Sequence, residues 1–164
     1  LDARALAQRF ELQLKDGPVQ VSEHLLFLGE IERTTSFENK IPIGQRRQNG
    51  KWVDDYLPDD SAMVYRDPKG LVIIPGCSHP GICNIIEYAK KVTGDDRVHA
   101  VIGGFHLFDA ESEQAKQTIE YLEQYGNAAM YPCHCTSFAV RAALAARVPV
   151  HEVGVGLTLS WPET

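Results

Sequence analysis

The sequence predicts an α/β fold, and three observations carry that expectation. From residue 61 onward, short apolar strand runs alternate with segments of helical period. There is neither an internal repeat nor a low-complexity tract to suggest a solenoid or a disordered chain. Three of the strand runs lead into a histidine, at positions 79, 106 and 134, so those side chains arrive at the edge where α/β sheets bind ligands.

Taken in order, residues 2–14 place Ala3, Leu6, Ala7, Phe10 and Leu14 on one helical face, and Asp16-Gly17-Pro18 ends the segment. Residues 19–21 and 25–29 read as two short strands around a turn. From 30 to 60 the chain turns polar, and Pro42, Gly44, Asn49-Gly50 and Pro58 interrupt any period. A stretch this long reads as an irregular functional loop or an insertion. Residues 61–66 and 71–74 form a hairpin turned at Asp67-Pro68-Lys69-Gly70. A helix over 81–92 puts Ile82, Ile85, Ile86 and Ala89 on one face. A strand over 98–103, a helix over 112–125 with Ala115, Ile119 and Leu122 inward, and a strand over 128–131 follow. A helix over 138–146 and a final strand over 150–159 complete the pattern.

The 164 residues are enough for one buried core, and 44% hydrophobic with 23% charged composition excludes disorder. A net charge of -6 argues against nucleic acid, and Arg46-Arg47 with Lys51 reads as a solvated loop. No apolar run approaches the roughly 18 residues of a membrane helix, and no charged-then-apolar leader is present, so no membrane partner is expected. The chain opens on Leu1, which points to processing or to a fragment. Cys77, Cys83, Cys133 and Cys135 all fall in the second half. They read as reduced thiols of a cytoplasmic protein rather than a disulfide scaffold.

Around the histidines, Gly76 and Gly81 let the backbone turn tightly, and Pro80 suits a first helical turn. The helix start that follows would offer free amides and a positive dipole end to an anion. Thr136 or Ser137 can cap the later helix, and Asp109 is expected to cap a helix from Ala110. Cys77 near a helix start could serve as a nucleophile. Cys133 and Cys135 alternate with His134, so in an extended segment they would face away from it. Cys83 and Cys133 read as structural, while Cys135 stays a candidate ligand or ligand neighbour.

Gly76-Cys77-Ser78-His79-Pro80-Gly81-Ile82, then Ile102-Gly103-Gly104-Phe105-His106-Leu107, then Pro132-Cys133-His134-Cys135-Thr136, resemble one branch of the metallo-β-lactamase superfamily. That branch includes metal-dependent hydrolases and a dihydropterin-ribofuranosylaminobenzene phosphate synthase of methanopterin biosynthesis. Leu28-Gly29-Glu30-Ile31, Arg33-Thr34, Phe37-Glu38 and Asp59-Asp60 resemble the same branch, so the likeness runs from residue 20 onward.

The resemblance implies an αβ/βα sandwich with two divalent ions, zinc first and iron or manganese as alternatives. It makes His79 and His134 metal ligands. His106 falls where relatives place a bridging aspartate, and a neutral imidazole offers only one lone pair, so it would bind one metal or contact substrate. Ser137 stands where the branch has glycine. Ser78, Cys135 and Thr136 are assigned to binding a small anionic substrate, and no catalytic residue is named.

The family's His-x-His-x-Asp-His motif does not occur in the chain. Residues 1–164 therefore read as the C-terminal part of one metallo-β-lactamase-like domain, with 30–60 as its long loop. The partner would be the N-terminal half, in the same gene or as a separate chain, and one exposed apolar sheet face would receive it or a second copy. Val72, Ile74, Val101 and Met130 are candidates for that face. The implied reaction is attack of a metal-bound hydroxide on an ester, phosphoester or lactone, with activity only when both halves are present. Alone, with few histidine ligands, the chain is expected to bind metal weakly. Two rivals stand beside this: a non-catalytic fragment or interaction subunit, and a thiol enzyme using Cys77.

Overall fold

The computed structural model describes residues 2–161. Along the chain come α1 (Ala3–Ala7), β1 (Val19–Gln20), β2 (Leu25–Phe27), β3 (Gly44–Gln48), β4 (Lys51–Asp55), β5 (Ala62–Asp67) and β6 (Gly70–Pro75). Then follow α2 (Ile82–Thr93), β7 (Val98–Gly104), α3 (Glu113–Glu123), β8 (Ala129–Cys133) and α4 (Phe138–Ala145). Six strands form one sheet in the order β1-β2-β5-β6-β7-β8. The pairings are antiparallel up to β6 and parallel from β6 to β8. The mixed α/β class is as the strand–helix alternation predicts.

Period-two alternation decides which face each strand residue takes. Leu26, Val64, Ile73, Val101 and Met130 are successive register partners across five strands, and each is at most 5% exposed. This row packs in one core with Ile82, Ile85 and Ile86 of α2, Ala115, Ile119 and Leu122 of α3, and Val140 and Leu144 of α4. Burying each of the larger of these side chains contributes roughly 1.5–3 kcal/mol. The next row turns the other way: Phe27, Met63, Ile74, Ile102 and Tyr131 are only half-buried or exposed. Val101 and Met130, expected on an open face, instead belong to the helix side, because they register with Ile73. Val72 and Ile74 do face away from the helices. Val72 is still buried among its strand neighbours, whereas Ile74 is 37% exposed.

The structure corrects four local expectations. The helix over 2–14 shrinks to Ala3–Ala7 with no buried residue, since Phe10 and Leu14 have no core to pack against. The stretch 30–60 is not structureless: β3 and β4 pair as a hairpin turned at Asn49-Gly50. Both turn residues hold positive φ (51° and 79°), the conformation that closes a two-residue turn. Asp109 does not cap a helix at Ala110; its side chain accepts the Glu111 amide in a local turn, and Ser112 caps α3. The strand over 150–159 reduces to a bridge between Val150 and Met130, and Gly154 turns the chain afterwards. No helix among the described residues is long and apolar enough to cross a membrane.

One buried carboxylate ties the long loop to this frame. Glu38 is 4% exposed and accepts the amides of Cys83 (3.0 Å) and Asn84 (2.9 Å) at the start of α2, with the Thr35 hydroxyl at 3.1 Å. Asn84 answers by accepting the amides of Thr34 and Thr35. Burial pushes the Glu38 carboxyl upward, and those amide donors pull it back. Replacing Glu38 by alanine leaves buried donors without an acceptor, so E38A is expected to destabilise the fold by about 2–3 kcal/mol. E38Q, which keeps one acceptor oxygen, should lose less. Thermal melts of the two variants check the order.

Candidate metal centre

The parallel strands β6, β7 and β8 each run into a loop that holds one non-glycine residue at positive φ: Ser78 (61°), His106 (50°) and His134 (51°). This conformation is uncommon for residues with a side chain and costs on the order of 1–3 kcal/mol when imposed. The loops hold one another in it. The Ser78 hydroxyl donates to the Gly104 carbonyl, and the Gly104 amide donates to the Gly76 carbonyl at 2.9 Å. Leu107 donates to Cys135 and Ser137 donates back to Leu107. The buried Thr136 hydroxyl accepts the Phe105 amide at 3.0 Å and donates to the Cys133 carbonyl at 3.1 Å. Gly104 must lack a side chain, since a Cβ there would strike the Cys135 sulfur.

Two groups of donor atoms result. In the first, the His79 and His106 rings lie 4.5 Å apart between centroids. Asp60 sits 2.7 Å from His79 Nδ1 and also accepts the His79 amide. A carboxylate on Nδ1 fixes the tautomer and leaves the Nε2 lone pair free for a cation. His106 Nδ1 is buried with no hydrogen-bond partner, and Phe108 packs edge-on to the ring at 5.0 Å. Burial and the neighbouring His79 both push the His106 imidazole pKa below its ordinary value, with Asp60 opposing them. An oriented imidazole beside a neutral, unpartnered one is a donor set that fits a divalent cation.

In the second group, the ligand atoms of Cys77, His134 and Cys135 all lie within 4.8 Å of one another. The left-handed turn at His134 breaks the alternation that would have sent Cys135 to the opposite side, so neighbouring residues converge. Cys133 is the one left out of the group. Burial pushes the Cys135 thiol up to about 11. Burial also raises Cys83, which lies in the core. All four cysteines are free thiols.

Of the residues expected at the site, His79 and His106 meet, and His134 groups with Cys77 and Cys135. Ser78 and Thr136 are buried, and their hydroxyls are held by backbone groups of the site loops, so a substrate would have to compete for them. The helix starts are not free anion sites. Glu38 occupies the Cys83 and Asn84 amides, and Ser137 occupies the Val140 amide of α4. His24 instead packs at a tilt against Tyr65, and His151 stacks on Tyr131. Asp60 was not assigned to the site from sequence. Its signal was available: β5 runs antiparallel to β6, with Ala62 opposite Pro75, so residues preceding β5 lie beside those following β6. A cavity of about 480 Å³ opens over His79 and His106, walled by Phe37, Lys40, Ile41 and Ile43 on one side and Phe108 and Gln114 on the other. Asn39 secures the loop wall by donating to the His79 carbonyl at 2.7 Å.

No family model matches the chain. It is 39% identical over 128 residues to 7,8-dihydropterin-6-methyl-4-(beta-D-ribofuranosyl)-aminobenzene-5'-phosphate synthase of Methanocaldococcus jannaschii, covering 76% of this chain and 44% of that protein. An uncharacterized protein of the same organism is 30% identical over 133 residues, covering 81% and 48%. The chain thus spans about half the length of the curated relatives it matches. In three dimensions it is similar to a crystal structure described as a metal-dependent hydrolase of the beta-lactamase superfamily. The TM-score is 0.77 at 25% identity, covering 92% of this chain and 58% of that one.

Two measurements follow from this geometry. D60N removes the anion that orients His79, and zinc affinity at the His79–His106 pair is expected to fall about 10–100-fold with the far-ultraviolet circular dichroism unchanged. His106 gives the second. A histidine with a depressed folded-state pKa contributes stability that is present above its ordinary value of 6.5 and lost as pH falls through the folded pKa. Melts of the metal-free protein should therefore drop as pH falls below 6.5. H106Q should flatten that slope.

Proposed function

This chain carries part of the metallo-β-lactamase fold and is related to its dihydropterin-ribofuranosylaminobenzene phosphate synthase branch, and on that premise we propose that it contributes one side of a metal-dependent hydrolase site. The single observation that carries the reading is His79 held by Asp60 and facing a neutral His106 at the ends of parallel strands. Zinc is the first choice of ion for imidazole donors, with iron and manganese as alternatives. When bound, such an ion supplies Lewis acidity toward water and toward a carbonyl or phosphoryl oxygen.

The chain's own residues do the rest. Asp60 orients His79, while Phe37, Phe108, Ile41 and Ile43 give the cavity an apolar wall. Lys40 shares the wall with the carboxylates of Asp109 and Glu113, so the preference for a small anionic ester, phosphoester or lactone rests on the bound cation rather than on wall charge. The apolar row Phe27, Met63, Ile74, Ile102 and Tyr131 favours docking of the remaining part of the fold, either from the same gene or as a separate chain. The six-stranded sheet, covered by helices on one face, supports the same reading. A thiol mechanism is less well supported, because the helix start beyond Cys77 has its Cys83 and Asn84 amides committed to Glu38 and not to an oxyanion.

The test is reconstitution with a segment carrying His-x-His-x-Asp-His. The assembled pair is expected to hydrolyse a generic phosphodiester or lactone, to lose that turnover on chelation and to regain it with zinc. H79A should abolish it. Turnover that survives chelation but not thiol alkylation would replace this reading with a Cys77 nucleophile.

A further inference from the structure

We propose that Cys77, His134 and Cys135 form a thiolate-rich binding site for one thiophilic divalent ion. The inference rests on reading this sheet edge as a metal site, but not on the reaction carried out there. It also changes the ligand count: on histidines alone the chain was expected to bind metal weakly, whereas two thiols and an imidazole are three protein donors.

The geometry carries it. Among the described residues, this is the only trio of histidine, cysteine or acidic side chains whose donor atoms come within 4.8 Å of one another. Those atoms come from two separate loops, after β6 and after β8, whose cysteines are 58 residues apart. The Cys135 sulfur is held against the Cys77 carbonyl at 3.3 Å, above a glycine that must have no side chain. The left-handed backbone at His134 (φ 51°) brings consecutive residues to the same point. Cys77 and Cys135 are half-buried and His134 is exposed, so an ion can enter while the thiols are shielded from bulk water.

The chemistry selects the ion. Bond lengths of about 2.3 Å to sulfur and 2.0–2.1 Å to imidazole nitrogen suit zinc, which accepts three protein ligands with a fourth position left over. Thiolates disfavour magnesium and calcium, which take oxygen donors. Binding forms two metal–sulfur bonds and one metal–nitrogen bond, and it releases the two thiol protons to solvent, so no oxidant or reductant takes part.

Cobalt(II) is the probe. Titrating the reduced chain with it should give a near-ultraviolet thiolate-to-cobalt charge-transfer band that saturates at one equivalent and is displaced by zinc. C77S and C135S should each take away about half of that band and weaken affinity at least about tenfold, as even the loss of an outer-shell partner can. H134Q should weaken affinity and keep the band. C133S, at the cysteine outside the trio, is the control and should change nothing. Should a variant fail to fold, zinc protection of the unaltered chain gives the same reading: alkylation mapped by mass spectrometry should spare Cys77 and Cys135 while Cys133 reacts. Cobalt bound with no thiolate band, or equal alkylation of all three in zinc, would overturn the thiol assignment. Either result would leave the hydrolase reading at His79 and His106 standing.

Discussion

A loop with no core of its own is placed by whatever it can hydrogen-bond, and a buried helix start is equally in need of acceptors. Glu38 meets both needs at once. Its carboxylate takes the Cys83 and Asn84 amides at the head of α2, and Asn84 takes two amides of the loop in return. Much of the site follows from this contact. Gly81 is required because a Cβ there would run into the Glu38 carboxylate. Asn39, the next residue, reaches the His79 carbonyl, so the cavity wall and its floor share one anchor. The helix dipole that could have attracted a substrate anion is already satisfied from within the chain.

The three site loops show how a strained arrangement is kept. Ser78, His106 and His134 would each relax toward negative φ if isolated. Bonds between the loops, from Ser78 to Gly104, from Gly104 to Gly76 and from Phe105 to Thr136, outweigh that tendency together. Two of the three strained residues are the histidines themselves. The strain therefore sits where donor direction matters, and the buried hydroxyls beside it act on backbone rather than on ligand.

The same economy explains the sheet. Its helix-side row is packed from β2 to β8, while the row behind it holds large apolar side chains that are half-buried, with Ile74 exposed. A soluble chain rarely leaves such a surface open. The curated relatives it matches are covered over only about half their length. Closing the second face of the sheet and completing the set of histidine donors are separate needs, and in the proposed function one missing part of the fold meets both.

Local pattern alone was enough for the strand–helix alternation, the hairpin at Asp67-Gly70 and the delivery of His79, His106 and His134 to strand ends. Each of these depends on residues a few positions apart, where periodicity and turn chemistry act. It was enough for the family resemblance as well, because the three loop motifs are contiguous. The tertiary structure alone decided which of those histidines meet. Asp60 orients His79 across 19 residues, Glu38 caps α2 across 45, and Cys135 meets Cys77 across 58. Antiparallel pairing of β5 with β6, burial of one carboxylate and a left-handed turn at one histidine set these encounters, and none of the three leaves a local period to read. The second face of the sheet was misassigned at Val101 and Met130 for the same reason: in a strand apolar on both sides, only the register with its neighbours says which way a side chain points.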